Sequence, residues 1–167
     1  MVNGRNSFNT PRMSGKNTSQ FKGHNSRSFE QNLPEGYLKD GYFDIVKGDR
    51  DSKKLKRELI LNVAQKISID IGNARPELKG SQLRKYYDYS VNINEKLKKL
   101  NGSFDMVESD VAKLKIFVAD GLTKKKIPKI FYDFISKNVE MIKNADDFNK
   151  GFIEHFQAVV AYYKKNN

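Results

Sequence analysis

The chain contains no cysteine, and that absence excludes both a disulfide framework and a thiolate metal site. A reducing, intracellular location is allowed, and the cytoplasm is the expected one. No apolar run approaches the roughly 18 residues that a membrane span needs, and residues 1 to 20 lack the apolar centre of a secretory signal. The reading is a soluble protein with no membrane partner. Histidine is scarce: His24 lies in a polar, aperiodic segment, and His155 lies beside Phe156. Neither joins a Ser/His/Asp or Cys/His arrangement, and His155 is expected at the surface or boundary of a last helix. A phosphate-cradling glycine loop is missing as well, because Gly102, Gly121 and Gly151 stand singly at expected helix ends or turns. The carboxylates are interspersed with lysines at no spacing that forces several into a two-metal pocket. The expectation is a protein that is not an enzyme and uses no cofactor or metal.

What the chain does have is positive charge: 31 Lys and Arg against 20 Asp and Glu, a net charge of +11 and a pI near 9.7 over 167 residues. Such a balance favours attraction to nucleic acid or to an anionic membrane surface. It is not spread evenly along the chain. Residues 1–32 are rich in Asn, Ser and Gly, with Phe8, Phe21 and Phe29 outside any apolar period. Too little surface can be buried there to offset chain entropy, so a disordered arm is expected. Arg5, Arg12, Lys16, Lys22 and Arg27 against Glu30 make that arm basic, either a weak polyanion tether or an unselected tail. Residues 33–167 are long enough for a single modest core.

Within that domain, Leu33 to Phe43 reads as a loop whose aromatics pin it to the core. Only helical periods are recognised after it. A first helix is expected from Asp51, carrying Leu55, Leu59, Val63, Ile67 and Ile71 and ending at Gly72. A second opens near Ser81, with core residues Leu83, Tyr86, Ser90, Ile93, Leu97 and Leu100, and closes near Asn101 and Gly102. Ser103 is expected to cap a third, which carries Phe104, Val107, Val111, Leu114 and Val118. A fourth has Pro128 in its first turn and buries Ile127, Phe131, Phe134, Val139 and Ile142. The fifth starts at Asp146 or Asp147 and runs through Phe148, Phe152, Phe156, Val159 and Tyr163. The predicted fold is all-α, a compact bundle of about five helices behind a disordered basic N-terminal arm.

The candidate binding residues follow from those helices. On the second, the core stripe turns Lys85, Tyr89, Asn92 and Lys96 onto another face, where lysines interleave with an aromatic and an amide. Arg84 has Asp88 four residues on and can pair with it, whereas Lys85 has no acidic residue at i+4 or i−4. Lys53, Lys54, Lys56 and Arg57 are expected in the first turns of the first helix, and Lys124, Lys125, Lys126 and Lys129 around the start of the fourth. A cation there opposes the helix dipole by about 0.3–1 kcal/mol, a sign that a bound phosphate would reverse. Solvent screening is the bland alternative.

Several segments, in order, resemble the small subunit of type III-A CRISPR effector complexes, the helical protein of the Csm complex. They are LPEGYLKDGYFD (Leu33–Asp44), LKRELILNVAQKI (Leu55–Ile67), LKGSQLRKYYDY (Leu78–Tyr89), DVAKLKIFVADG (Asp110–Gly121) and FIEHFQAVVAYYKK (Phe152–Lys165). The resemblance implies a non-catalytic RNA-binding subunit. Several copies would stack as the minor filament along the guide RNA–target RNA duplex, together with the other Csm subunits, in antiviral defence. Carried over by position, Ser81, Gln82, Arg84 and Lys85 match the segment that opens the second helix, and Lys115 falls on a basic position of the central helix. The arginine that follows a small residue and glycine after the family's central helix is absent from Ala119-Asp120-Gly121-Leu122-Thr123-Lys124. Its contact would pass to Lys124 or Lys125, or be lost. Family and residues agree on lysines and arginines that neutralise phosphates while base pairing reads sequence. The alternative is a freestanding helical DNA-binding regulator, with Gln82, Arg84 and Asn92 as base-reading side chains.

Overall fold

The stripe Val107, Val111, Leu114 and Val118 is buried throughout in the computed structural model, which describes residues 32–46 and 52–163. The basic arm expected over residues 1–32 lies, apart from Asn32, outside the described residues, as does the expected cap Asp51. The core is a helical bundle, as its periods predict. Its helices are α1 (Arg57–Ile60), α2 (Asn62–Asn73), α3 (Gly80–Lys99), α4 (Glu108–Thr123), α5 (Lys129–Met141) and α6 (Glu154–Tyr162). Helix α4 packs on α5, α2 packs on α6, and α3 lies against α4 and α6. Phe131, Phe134, Phe148, Phe152 and Phe156 fill the centre, with ring centroids 5.4 Å apart for Phe134 and Phe156 and 5.5 Å apart for Phe152 and Phe156. Such ring pairs add about 0.5–1.5 kcal/mol beyond the area they bury.

Several boundaries differ from expectation. Lys53–Leu55 is a strand, β2, paired antiparallel with β1 (Phe43–Ile45), so the first helix starts only at Arg57. The pairing sets Phe43 opposite Leu55, both packed on the core, and Asp44 opposite Lys54, an opposite-charge pair across the strands. Leu61 then breaks the helix between α1 and α2 with φ −112° and ψ −101°, and α2 ends at Asn73. Ser103 makes no side-chain cap; it precedes a 3₁₀ turn, Phe104–Met106, before α4 begins. The α3 C-terminus closes as expected, with Asn101 and Gly102 at φ +53° and +78° and the Gly102 amide bonded to the Leu97 carbonyl.

The last helix opens on Asn144, whose Oδ1 accepts from the Asp147 amide at 2.9 Å, and its first part, Asp147–Ile153, is a π-helix. That wider turn meets the Tyr42 ring at Gly151, where a Cβ would lie 2.6 Å from a ring carbon. Only a residue without a side chain fits there.

His155 is fully buried, which overturns its expected place at the surface or boundary of the last helix. Its Nδ1 lies 2.6 Å from the Leu59 carbonyl, which can only accept, so Nδ1 carries the proton. Nε2 then accepts from the Tyr37 hydroxyl at 2.8 Å. The Tyr37 oxygen in turn accepts from Asn138 Nδ2 at 2.8 Å, and Asn138 Oδ1 accepts from the Tyr42 hydroxyl at 2.9 Å. The aromatics of the Leu33–Phe43 loop therefore do fasten it to the domain, through buried polar partners on α5 and α6. Burial pushes the His155 pKa down to about 4, only partly opposed by the bond to Leu59, and raises both tyrosines.

Candidate nucleic-acid interface

Helix α3 starts after Lys79, whose amide donates to Gln82 Oε1 at 3.0 Å; this bond supplies one of the partners that a helix start leaves unmet. Ser81, in the first turn, is exposed and Gln82 is half-buried. Leu83 anchors the turn in the core, so Arg84 and Lys85 project into solvent and Tyr86 and Tyr89 lean toward α4. The Tyr86 ring meets Phe131 edge-on at 5.2 Å. The Tyr89 ring meets Phe117 edge-on at 5.1 Å, and its hydroxyl reaches the Asp110 carbonyl at 3.4 Å. Burial raises the pKa of both tyrosines, so both phenols stay neutral.

Between these helices lies a cleft of about 400 Å³, lined by Gln82, Lys85, Tyr86 and Tyr89 of α3, Phe117, Asp120 and Gly121 of α4, and Lys126 beyond it. Its floor depends on Gly121, because a Cβ there would come 2.9 Å from the Tyr86 hydroxyl oxygen and 3.3 Å from Ile127. The turn that delivers Lys126 is a helix-ending pair of bonds, from the Lys126 amide to the Gly121 carbonyl and from the Lys125 amide to the Leu122 carbonyl, each 2.9 Å. Lys125 takes the left-handed conformation that this ending requires, φ +52°, where glycine is the usual residue.

The remaining predicted site residues fall into two groups. Lys53 and Lys54 stand on β2 and Arg57 begins the short α1, all three exposed and none on the cleft. The expectation that this lysine cluster opposes a helix dipole fails for Lys53 and Lys54, which are in a strand. Others are matched by carboxylates, either along their own helix or across the bundle. Lys96 and Lys113 both reach Asp110 at 2.8 Å. Those hydrogen bonds, Lys113 first and then Lys96, hold the Asp110 carboxyl down at about 2. Lys115 bonds Glu140 at 2.7 Å on the rim of a separate open groove of about 650 Å³, while Lys124 meets Asp120 at 2.8 Å and Lys129 meets Asp133 at 2.5 Å. By contrast, no ion pair among the described residues reaches Arg84, Lys85, Lys125 or Lys126, and Arg84 does not pair with Asp88.

Sequence reasoning missed Phe117. It sits one residue before Val118, off the Val111–Leu114–Val118 stripe, and remains 42% exposed beside Ile116 at 64%. An aromatic outside the core period of an otherwise regular helix was the available signal. Gln82, one of the base-reading candidates of the DNA-binding alternative, has its carbonyl oxygen engaged by the Lys79 amide. No group of His, Cys, Asp and Glu among the described residues is arranged to hold a metal ion, and no described helix is long and apolar enough to cross a membrane.

No curated protein and no solved structure matches the chain. A family model described as Csm2 Type III-A matches residues 54–167, a stretch that includes every helix of the bundle and every residue lining the cleft. With more than half its length matched, the chain belongs to the Csm2 Type III-A family, the small subunit of the type III-A CRISPR effector complex.

Proposed function

We propose that the protein is a non-catalytic RNA-binding subunit. In this reading several copies stack beside one another along the guide RNA–target RNA duplex as the minor filament of the effector complex. They work in the cytoplasm in antiviral defence, in contact with the other Csm subunits. The observation that carries this reading is the pair of cations on the α3–α4 cleft, Lys85 and Lys126, which, like their chain neighbours Arg84 and Lys125, have no carboxylate partner among the described residues. Lysines already neutralised within the chain, such as Lys96, Lys115 and Lys124, gain less from a phosphate than these do, because an existing ion pair must be given up. The role of the absent family arginine passes most readily to Lys125 or Lys126, since Lys124 is held by Asp120. Ser81, Gln82 and Tyr89 border the same surface. Lys53, Lys54 and Arg57 form a second basic patch on the hairpin side, available to another stretch of backbone or to a neighbouring subunit.

Phosphate contacts of this kind are sequence-tolerant and salt-dependent. The test is to recover the tagged protein from its native host, sequence co-purifying small RNA and identify partners by mass spectrometry. Repeat-derived guide RNA in a large assembly supports the proposal. Recovery of the protein without such RNA or partners overturns it, and specific binding to duplex DNA would then favour the regulator.

A further inference from the structure

The geometry points to a nucleobase pocket: the α3–α4 cleft takes one unpaired base of the bound strand, stacked on Phe117 beside Tyr89, while Lys85 and Lys126 hold the flanking phosphates. This deepens the RNA-binding reading above and rests on it. A phosphate-only surface has no use for an exposed ring. Yet Phe117 remains 42% exposed at the edge of a cationic cleft, and its neighbour Tyr89 meets it edge-on, ring planes 75° apart. An edge-to-face pair leaves a ring face open, and the partner suited to an open aromatic face is another flat ring.

The surroundings select which flat ring. The cleft's 400 Å³ lies within the roughly 300–1,000 Å³ of small-molecule sites. Its charges are Lys85 and Lys126 together with Asp120, whose carboxylate is already compensated by Lys124 at 2.8 Å, so the net field attracts an anionic ligand. Gln82 directs its carbonyl oxygen to the Lys79 amide, which leaves its amide NH₂ as a donor for an acceptor on a base edge. Gly121 lets the Tyr86 hydroxyl and Ile127 close against α4, and that close packing forms the floor. A base inside an A-form stack offers its faces only to its neighbours, so a ring that meets Phe117 must be one that has left the stack or was never paired.

The test uses the full chain and fluorescence anisotropy with two end-labelled single-stranded RNA oligomers of equal length. One carries all its bases and the other has abasic sites, so phosphate number is constant. The expected result is binding of the base-bearing strand at least about fivefold tighter. Phe117→Ala and Phe117→Leu should each abolish that preference while the salt slope is kept, the leucine variant retaining the apolar contact without a π-face. Lys85→Ala should weaken both strands alike. Equal affinity of wild-type protein for both strands, with Lys85→Ala still weakening both, overturns the base pocket and leaves the phosphate reading intact. Failure of both strands to bind overturns the two together. If Phe117→Ala instead dissociates a concentration-dependent self-association in sedimentation, with base preference unchanged, the ring belongs to an interface between copies and the pocket is overturned.

Discussion

Lowering the pH from about 7.5 to about 5 should cost this domain about 2 kcal/mol of stability through His155 alone. The neutral imidazole is specified by its surroundings: the Leu59 carbonyl requires a proton on Nδ1, and the Tyr37 hydroxyl donates to Nε2. A second proton, on Nε2, would meet that hydroxyl, whose oxygen already accepts from Asn138. The Tyr37 hydrogen would then have lost its acceptor inside the core. With the folded pKa at about 4 and the ordinary value 6.5, the unfolded chain takes up its proton first as pH falls. Stability is therefore full above 6.5, declines through the interval, and has dropped by about 3 kcal/mol once the pH reaches the folded pKa. Asp110, Glu95 and Glu140 are held below their ordinary values by lysine partners, so their contributions are lost only at lower pH, as it falls through their folded pKa values. Urea unfolding followed by far-ultraviolet circular dichroism at both pH values measures the difference. The same pair of curves for His155→Gln, in a His24→Gln background, should show a lower stability at neutral pH and a much flatter pH dependence. Equal stability of the wild-type chain at both pH values, or an unchanged pH dependence in the variant, would refute the reasoning.

Gly151→Ala places a methyl 2.6 Å from the Tyr42 ring and should destabilise the fold by about 1–3 kcal/mol, read as a fall in thermal midpoint. An unshifted midpoint would mean that the π-helix yields freely. Lys125→Gly relieves a left-handed backbone and should add about 0.5–1 kcal/mol of stability while weakening RNA binding; a lower midpoint would contradict the strain assigned to φ +52°. Lys85→Ala should flatten the salt dependence of RNA binding by about one phosphate contact, more than Lys124→Ala does, because Lys124 already faces Asp120. Equal changes in the two variants would show that the intrachain ion pair does not discriminate between the lysines.

The helix-scale organisation was legible because it is written in local periods. Val111, Leu114 and Val118 mark one face of α4 without reference to any other part of the chain, and the Asn101–Gly102 pair announces the end of α3. What escaped depends on distant partners. His155 owes its burial to Tyr37 and Leu59, 118 and 96 residues away in the chain, and no spacing around it signals a buried acceptor. The hairpin strands are three residues each, and β2 is Lys-Lys-Leu, too short and too charged to show an alternating period. The same logic divided the candidate lysines. A search for acids four residues away along the helix sees Lys124 with Asp120, but not Lys96 with Asp110 or Lys115 with Glu140, which are joined only when helices pack. Lys85 survives both tests. Phe117 became a candidate only when the packing showed that it stays 42% exposed beside Tyr89.

The buried chain of Tyr42, Asn138, Tyr37 and His155 bears on where the folding unit begins. The family's matched stretch opens at residue 54, after both tyrosines. A fragment cut at that boundary would keep every helix, yet it would leave Asn138 Oδ1 and the Nε2 of His155 without their donors and open a slot above Gly151. Each stranded polar atom costs about 1–3 kcal/mol, a large part of the margin that a domain of this size possesses. Expression of the shortened chain should yield a loosened bundle, whereas one starting at Leu33 retains the clasp. The segment before the first helix is thus a keystone of the domain, although a family boundary drawn through the helices would discard it as a leader.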